Sequence, residues 1–249
     1  MPTRPQIAIV AALEREVHAL IQSWRTVNKS HDGREFKFFE TENAVLICGG
    51  IGAQAARRAA EAVITLYAPP TIYSAGFAGA LDPGLKVAEI LYPARVINAA
   101  DGSSTSVDAG NQILVTFTAI ASPQQKARLR ESFAAHAVDM EAAAVAQAAE
   151  VHGIRFAAVK AISDGAEFAL PAMEQFVTAD GQFRTTQFAI HAILRPWLWP
   201  ALIHLARNSA KASRALCEVL RQIVDKATDV PGQAGMHEST ATREIVNEP

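Results

Sequence analysis

Cysteine is scarce in this chain of 249 residues: Cys48 and Cys217 are the only two, and they stand far apart. They offer no metal or redox spacing, and two cysteines cannot staple a domain of this size. A reducing, cytoplasmic setting is therefore expected. The seven histidines form no H-E-x-x-H or other ligand spacing, so no metal is expected. Excess charge is missing as well: a net charge of −2 gives no general reason to bind nucleic acid or an anionic bilayer. The opening residues, MPTRPQIAIVAALERE, carry no long apolar region with a cleavage site, so no secretion signal is expected. Every apolar run is interrupted before the roughly 20 residues that a membrane span needs. The greasiest, LRPWLWPALIHLA, is broken by Arg195, Pro196, Pro200 and His204 and reads as a short amphipathic element.

What is present is an ordinary globular composition, half apolar, in which strand-like and helix-like runs alternate. That alternation favours an α/β domain. QIAIVAA (6–12) and AVLICGG (44–50) read as buried strands, and LEREVHALIQSW and AQAARRAAEAVITLY as helices, the second stopped by Pro69-Pro70. TIYSAGFAGAL reads as a short strand followed by a loop holding Gly76 and Gly79. VAEILYPARVINA and NQILVTFTAIA are further strands, joined by the turn-rich, exposed DGSSTSVDAG. SPQQKARLRESF is a helix that Ser122 can cap, with Pro123 in its first turn. A helix over 139–151 and a doubly covered strand, IRFAAVKAIS, follow. From Leu170 the chain is mainly helical, and about 226–249 is a polar tail. One domain over 1–225, with a helical extension from about 170, is the economical division.

Three points fall at strand ends, where α/β folds bind ligands: ALERE, GFAGAL and ISDGA. Asp164 either projects into a crevice or caps the next turn with Ser163. Asp139 suits a helix N-cap. Glu141, among small packed residues, needs a partner: a ribose diol, a buried Arg or a backbone amide would each serve. Glu14 and Glu16 both lie at the edge of the Leu13–Val17–Leu20–Trp24 stripe, and periodicity does not choose between them. The glycine clusters match neither a dinucleotide loop nor a P-loop. No G-x-S-x-G appears, which argues against a serine hydrolase.

IAIVAALEREV, GGIGAQAA, SAGFAGALDPGLKVAEI, AVDMEAAAVA and VKAISDGAE occur in this order over about residues 6–168. The set resembles the purine nucleoside phosphorylase and nucleosidase superfamily, near the methylthioadenosine/S-adenosylhomocysteine nucleosidases. The resemblance implies a three-layer αβα fold with a twisted mixed sheet, and an enzyme that splits the N-glycosidic bond of an adenosine-type nucleoside. It implies that a protonated Asp164 donates to N7 of the base, with Ser163 beside it. Glu141 would hold the ribose hydroxyls with Met140 packed beside the sugar, and Glu16 would hold the attacking water. Gly79 matches the glycine-loop position, and Ile120 falls near the backbone that flanks the base. A free Asp, with a pKa of about 3.9, is ionised at neutral pH, so burial or a hydrogen bond to its neutral form must raise that value. No cofactor is implied, phosphate is the candidate co-substrate, and the partner is a small nucleoside with a second copy of the chain completing a homodimer.

Two departures bear on the nucleophile. Phe77 stands where a small hydroxyl residue is usual near phosphate or water, and Lys160 where an Arg is common before the ISD motif. Phe77 weakens the phosphorylase reading, because phosphate recognition wants charge-assisted donors, and keeps open a nucleoside-binding protein without turnover. The segment ALPAMEQFVTADGQFRTTQFAIHAILRPWLWPALIHLARNSAKA is similar to hopanoid-associated phosphorylase-like proteins, which implies adenosylhopane as an alternative substrate. In that case Trp197, Leu198 and Trp199 would touch a membrane interface; otherwise they pack on the core or a partner subunit.

Overall fold

The computed structural model describes residues 4–107, 110–169 and 199–228, with scattered residues between 176 and 197. Its elements are β1 (Ile7–Ala11), α1 (Glu14–Ile21), β2 (Arg25–His31), β3 (Arg34–Glu40), β4 (Ala44–Cys48) and α2 (Ala53–Tyr67), followed by β5 (Thr71–Ala80), β6 (Ile90–Leu91), β7 (Pro93–Asn98), β8 (Ser104–Ser106) and β9 (Gln112–Thr116). Then come α3 (Pro123–Phe133), β10 (Ala137–Asp139), α4 (Ala142–Val151), β11 (Arg155–Asp164) and α5 (Trp199–Thr228).

Alternating side chains of a buried strand serve two cores, and β1 does this over its whole length. Ile7, Ile9 and Ala11 pack with α1 and α5, whereas Ala8 and Val10 pack with α2 and α4. The result is a three-layer αβα fold around a mixed sheet, ordered β2-β3-β4-β1-β5-β10-β9-β7-β8, with β11 on β5 and β6 on β11.

Four local expectations change. The stretch from Gly76 to Gly79 is no loop: β5 continues unbroken to Ala80. The helix expected over 139–151 starts at Ala142, because Ala137–Asp139 is a strand clamped between β9 and β5. The joining loop DGSSTSVDAG contains the short β8, paired with β7. A hairpin not anticipated, β2–β3, turns at Asp32-Gly33, both with positive φ (+48° and +72°); Asp-Gly is a strong two-residue hairpin signal. The helix expected at 122 forms with a capping box between Ser122 and Gln125.

Most of residues 170–198 and all of the tail after 228 lie outside the described residues, and with them nearly half of the stretch that resembles the hopanoid-associated proteins. Trp197, Trp199 and Ile203 are exposed. Among the described residues no helix is long and apolar enough to cross a membrane.

Candidate active site

The register of β5 explains where a cleft must open. On one edge β11 follows β5 from Thr71 to Gly79. On the other edge parallel β1 accompanies it only as far as Ser74, and antiparallel β10 reaches it only at Gly79 and Ala80. The two strands therefore run toward each other, and their carboxyl ends face across a gap at residues 75–78. Chain leaving β1 turns into α1 and delivers Glu16; chain leaving β10 delivers Asp139, Met140 and Glu141. A cavity of about 160 Å³ occupies this junction, the switch-point location typical of open α/β sheets.

At one end lies Asp164, buried, at the close of β11. Its Oδ1 accepts from the Ser163 hydroxyl at 2.6 Å, and its Oδ2 from the ammonium of Lys126, which α3 sends into the core. Lys126 also donates to the Gly165 carbonyl at 2.8 Å. A Cβ on Gly79 would stand 3.0 Å from Asp164 Oδ2 and 3.3 Å from Lys126 Cε. Glycine is needed here because the ion pair lies against the strand.

Three residues earlier on β5, about 10 Å away at the usual strand rise, is a second polar cluster. Lys160 Nζ is 2.8 Å from Asp139 Oδ2 and donates to Ser74 Oγ at 3.1 Å. Asp139 also accepts from Thr116 Oγ1 (2.6 Å) and from the Ala142 amide (2.8 Å). It thus does serve the first turn of α4, as expected of a cap, but from the end of a strand and while holding an ion pair. Burial presses the Lys160 amine down, yet Asp139, Glu141 and Glu16 outweigh this and hold it above the ordinary lysine value. Glu141 takes the Gly52 amide on Oε1 (2.8 Å) and the Met140 amide on Oε2 (3.2 Å). Burial, then the Asp139 charge, raises its pKa to about 7.

Glu16 resolves the ambiguity in the first helix. Glu14 is exposed and pairs with Lys37, whereas Glu16 is buried and lines the cavity. Its Oε2 is a buried polar atom with no hydrogen-bond partner among the described residues. Burial, and secondarily Glu141, raises its pKa to about 8. A Cβ on Gly76 would come within 2.9 Å of that same oxygen, so this glycine also makes room for an acid.

A profile of the Phosphorylase superfamily matches residues 6–119 and 113–195. The chain belongs to this superfamily. As a member it is an enzyme of the nucleosidase or phosphorylase type. It is 26% identical over 197 residues to a 5′-methylthioadenosine/S-adenosylhomocysteine nucleosidase from Bacillus pumilus (strain SAFR-032), covering 64% of this chain and 85% of that one. The solved nucleosidase of Colwellia psychrerythraea 34H, in complex with adenine, aligns over 66% of this chain and 85% of its own (TM-score 0.58, 23% identity). The Helicobacter pylori nucleosidase aligns over 90% and 99% (TM-score 0.68, 16% identity), and futalosine hydrolase from the same organism over 90% and 98% (0.68, 16%). At these identities the structural likenesses speak for the fold.

Within this superfamily member, every site residue expected from sequence lines the one cavity: Glu16, Phe77, Gly79, Ile120, Met140, Glu141, Ser163 and Asp164. Phe77 lies on β5, not in a loop. Lys126 was not anticipated. Its signal was faint: in SPQQKARLRESF only Lys126 and Leu129 share the buried face, and a lysine at that spacing reads as a solvated one.

Proposed function

We propose that this enzyme hydrolyses the N-glycosidic bond of an adenosine-type nucleoside and releases adenine, with water as nucleophile. The observation that carries this reading is the orphaned Glu16 Oε2, set in the same cavity as the Asp164–Ser163 pair. N-glycoside cleavage gives an oxocarbenium-like sugar, so it needs leaving-group activation on one side and a nucleophile on the other. In this reading Asp164 delivers a proton to N7 of the base, and an ionised Glu16 takes one from the attacking water. Two of the roughly four acceptor sites on Glu141 are spent on backbone amides, which leaves room for two ribose hydroxyls. Met140 and Phe77 flank the sugar, and Ile120 the base. Turnover needs no cofactor in this scheme, and a second copy of the chain completes the 5′ end of the site.

Water is favoured over phosphate by charge. Glu16, Asp139 and Glu141 converge on the single ammonium of Lys160, a poor setting for an anion that wants charge-assisted donors. Arg15 on the cavity wall supports phosphorolysis as the second reading. Adenine release measured with and without phosphate separates them: free sugar identifies hydrolysis, sugar phosphate identifies phosphorolysis. A folded Asp164→Asn variant is expected to lose about 10²–10⁴-fold in turnover; wild-type turnover in that variant would overturn the assignment. The nature of the 5′ group, including a lipid such as hopane, is tested by comparing nucleosides that differ only there.

A further inference from the structure

Both oxygens of Asp164 already accept hydrogen bonds, one from a hydroxyl and one from an ammonium. That is the bonding pattern of a carboxylate, and a carboxylate has no proton to give to a departing base. The nearest source of one is Lys126. Its side chain is 2% exposed and is held by one carboxylate oxygen and one carbonyl. The other charged groups on the cavity wall, Arg15, Glu16, Asp139 and Glu141, come from the ends of β1 and β10, away from this couple. A lysine ammonium, unlike a guanidinium, can release a proton.

We propose that Lys126 is the proton source for the leaving base and acts through Asp164. This rests on the nucleosidase reading above and deepens it. As the C1′–N9 bond breaks, its electron pair passes into the base, and N7 takes a proton from Asp164. Asp164 in turn draws one from the Lys126 ammonium, which is left as a neutral amine. Water adds its hydroxide to C1′ and leaves its proton on Glu16. Exchange with solvent then returns a proton to Lys126 and removes one from Glu16, so the cycle closes with no other reactant. The Gly165 carbonyl keeps the amine pointed at Asp164 throughout.

The test compares Lys126→Met and Lys126→Arg with wild type, measuring adenine release from 5′-methylthioadenosine between pH 5 and pH 9. Folding is followed by circular dichroism, and adenine binding by calorimetry. Both variants should bind adenine yet turn over about 10²–10⁴-fold more slowly at pH 8, the range for a well-placed acid. For Lys126→Met, the ratio to wild type should recover at least tenfold by pH 5, where solvent supplies the proton that Lys126 no longer does. Full activity in Lys126→Arg would mean that charge alone suffices, and would overturn the relay. So would an unchanged Lys126→Met, or a loss that is equal at every pH. Absence of adenine release by wild type from every nucleoside in the 5′ series would instead refute the nucleosidase reading beneath the relay, and the relay with it.

Discussion

Leaving Glu16 Oε2 without a partner is a local instability with a definite pH signature. The folded state holds the Glu16 proton up to about pH 8, whereas an unfolded glutamate loses it near pH 4.3. Between those values the native chain binds more protons than the unfolded one, so this residue's contribution to stability falls as pH rises through the window. Glu16→Gln removes that dependence. Its melting temperature should match wild type near pH 4 and exceed it by roughly 5 °C or more above pH 8. The same variant should lose turnover, since the proposed base is gone. In wild type, kcat/KM should climb between about pH 7 and 8 as Glu141 and Glu16 lose protons. A flat profile there would remove Glu16 from the role of base.

Among the elements, β5 lies against both polar clusters of the site, at Gly76 and Gly79. Gly79 does not have the positive φ found at Gly76, so alanine fits its backbone but meets the Asp164–Lys126 pair. Gly79→Ala should keep its melting temperature within a few degrees and lose at least tenfold in turnover. A fully active Gly79→Ala would mean that this pair can shift without consequence. Elements with local causes were legible in sequence: the doubly covered apolar runs β1, β4 and β11, and α3 with its capping box. Those governed by distant partners were not. Gly76 and Gly79 lower strand propensity and so read as a loop, although pairing with β11 keeps β5 extended past them. Asp139 opens an alanine-rich stretch that reads as helix until β9 and β5 claim Ala137–Asp139 as a strand. The acids of the site stood out because apolar segments end on them. Lys126 did not, because its burial is created by a partner 38 residues away.

For the whole molecule, the C-terminal helix is part of the site's support. Leu216, Cys217 and Leu220 of α5 are buried in the same core as Val17, Leu20 and Ile21 of α1. Ser213 Oγ donates to the Glu16 carbonyl at 3.0 Å, and the Cys217 thiol lies 3.6 Å from the same oxygen. Leu216→Ala should therefore cost about 2–5 kcal/mol in denaturant unfolding. It should also reduce turnover, because the helix that positions Glu16 loses its backing. A destabilised variant with unchanged kcat would separate α5 from the site.

The gap in the edge of β5 divides the sheet into two wings, β2–β3–β4–β1 and β10–β9–β7–β8, whose pairing meets only on β5. Each wing can fray without dragging the other, as cooperative units often do. Amide exchange should then be slowest in β5, which carries both wings, and in β11, which pairs with it from Thr71 to Gly79. A nucleoside seated in the gap would join the wings where the backbone does not, slowing exchange on both sides of a cavity that it touches at only a few atoms.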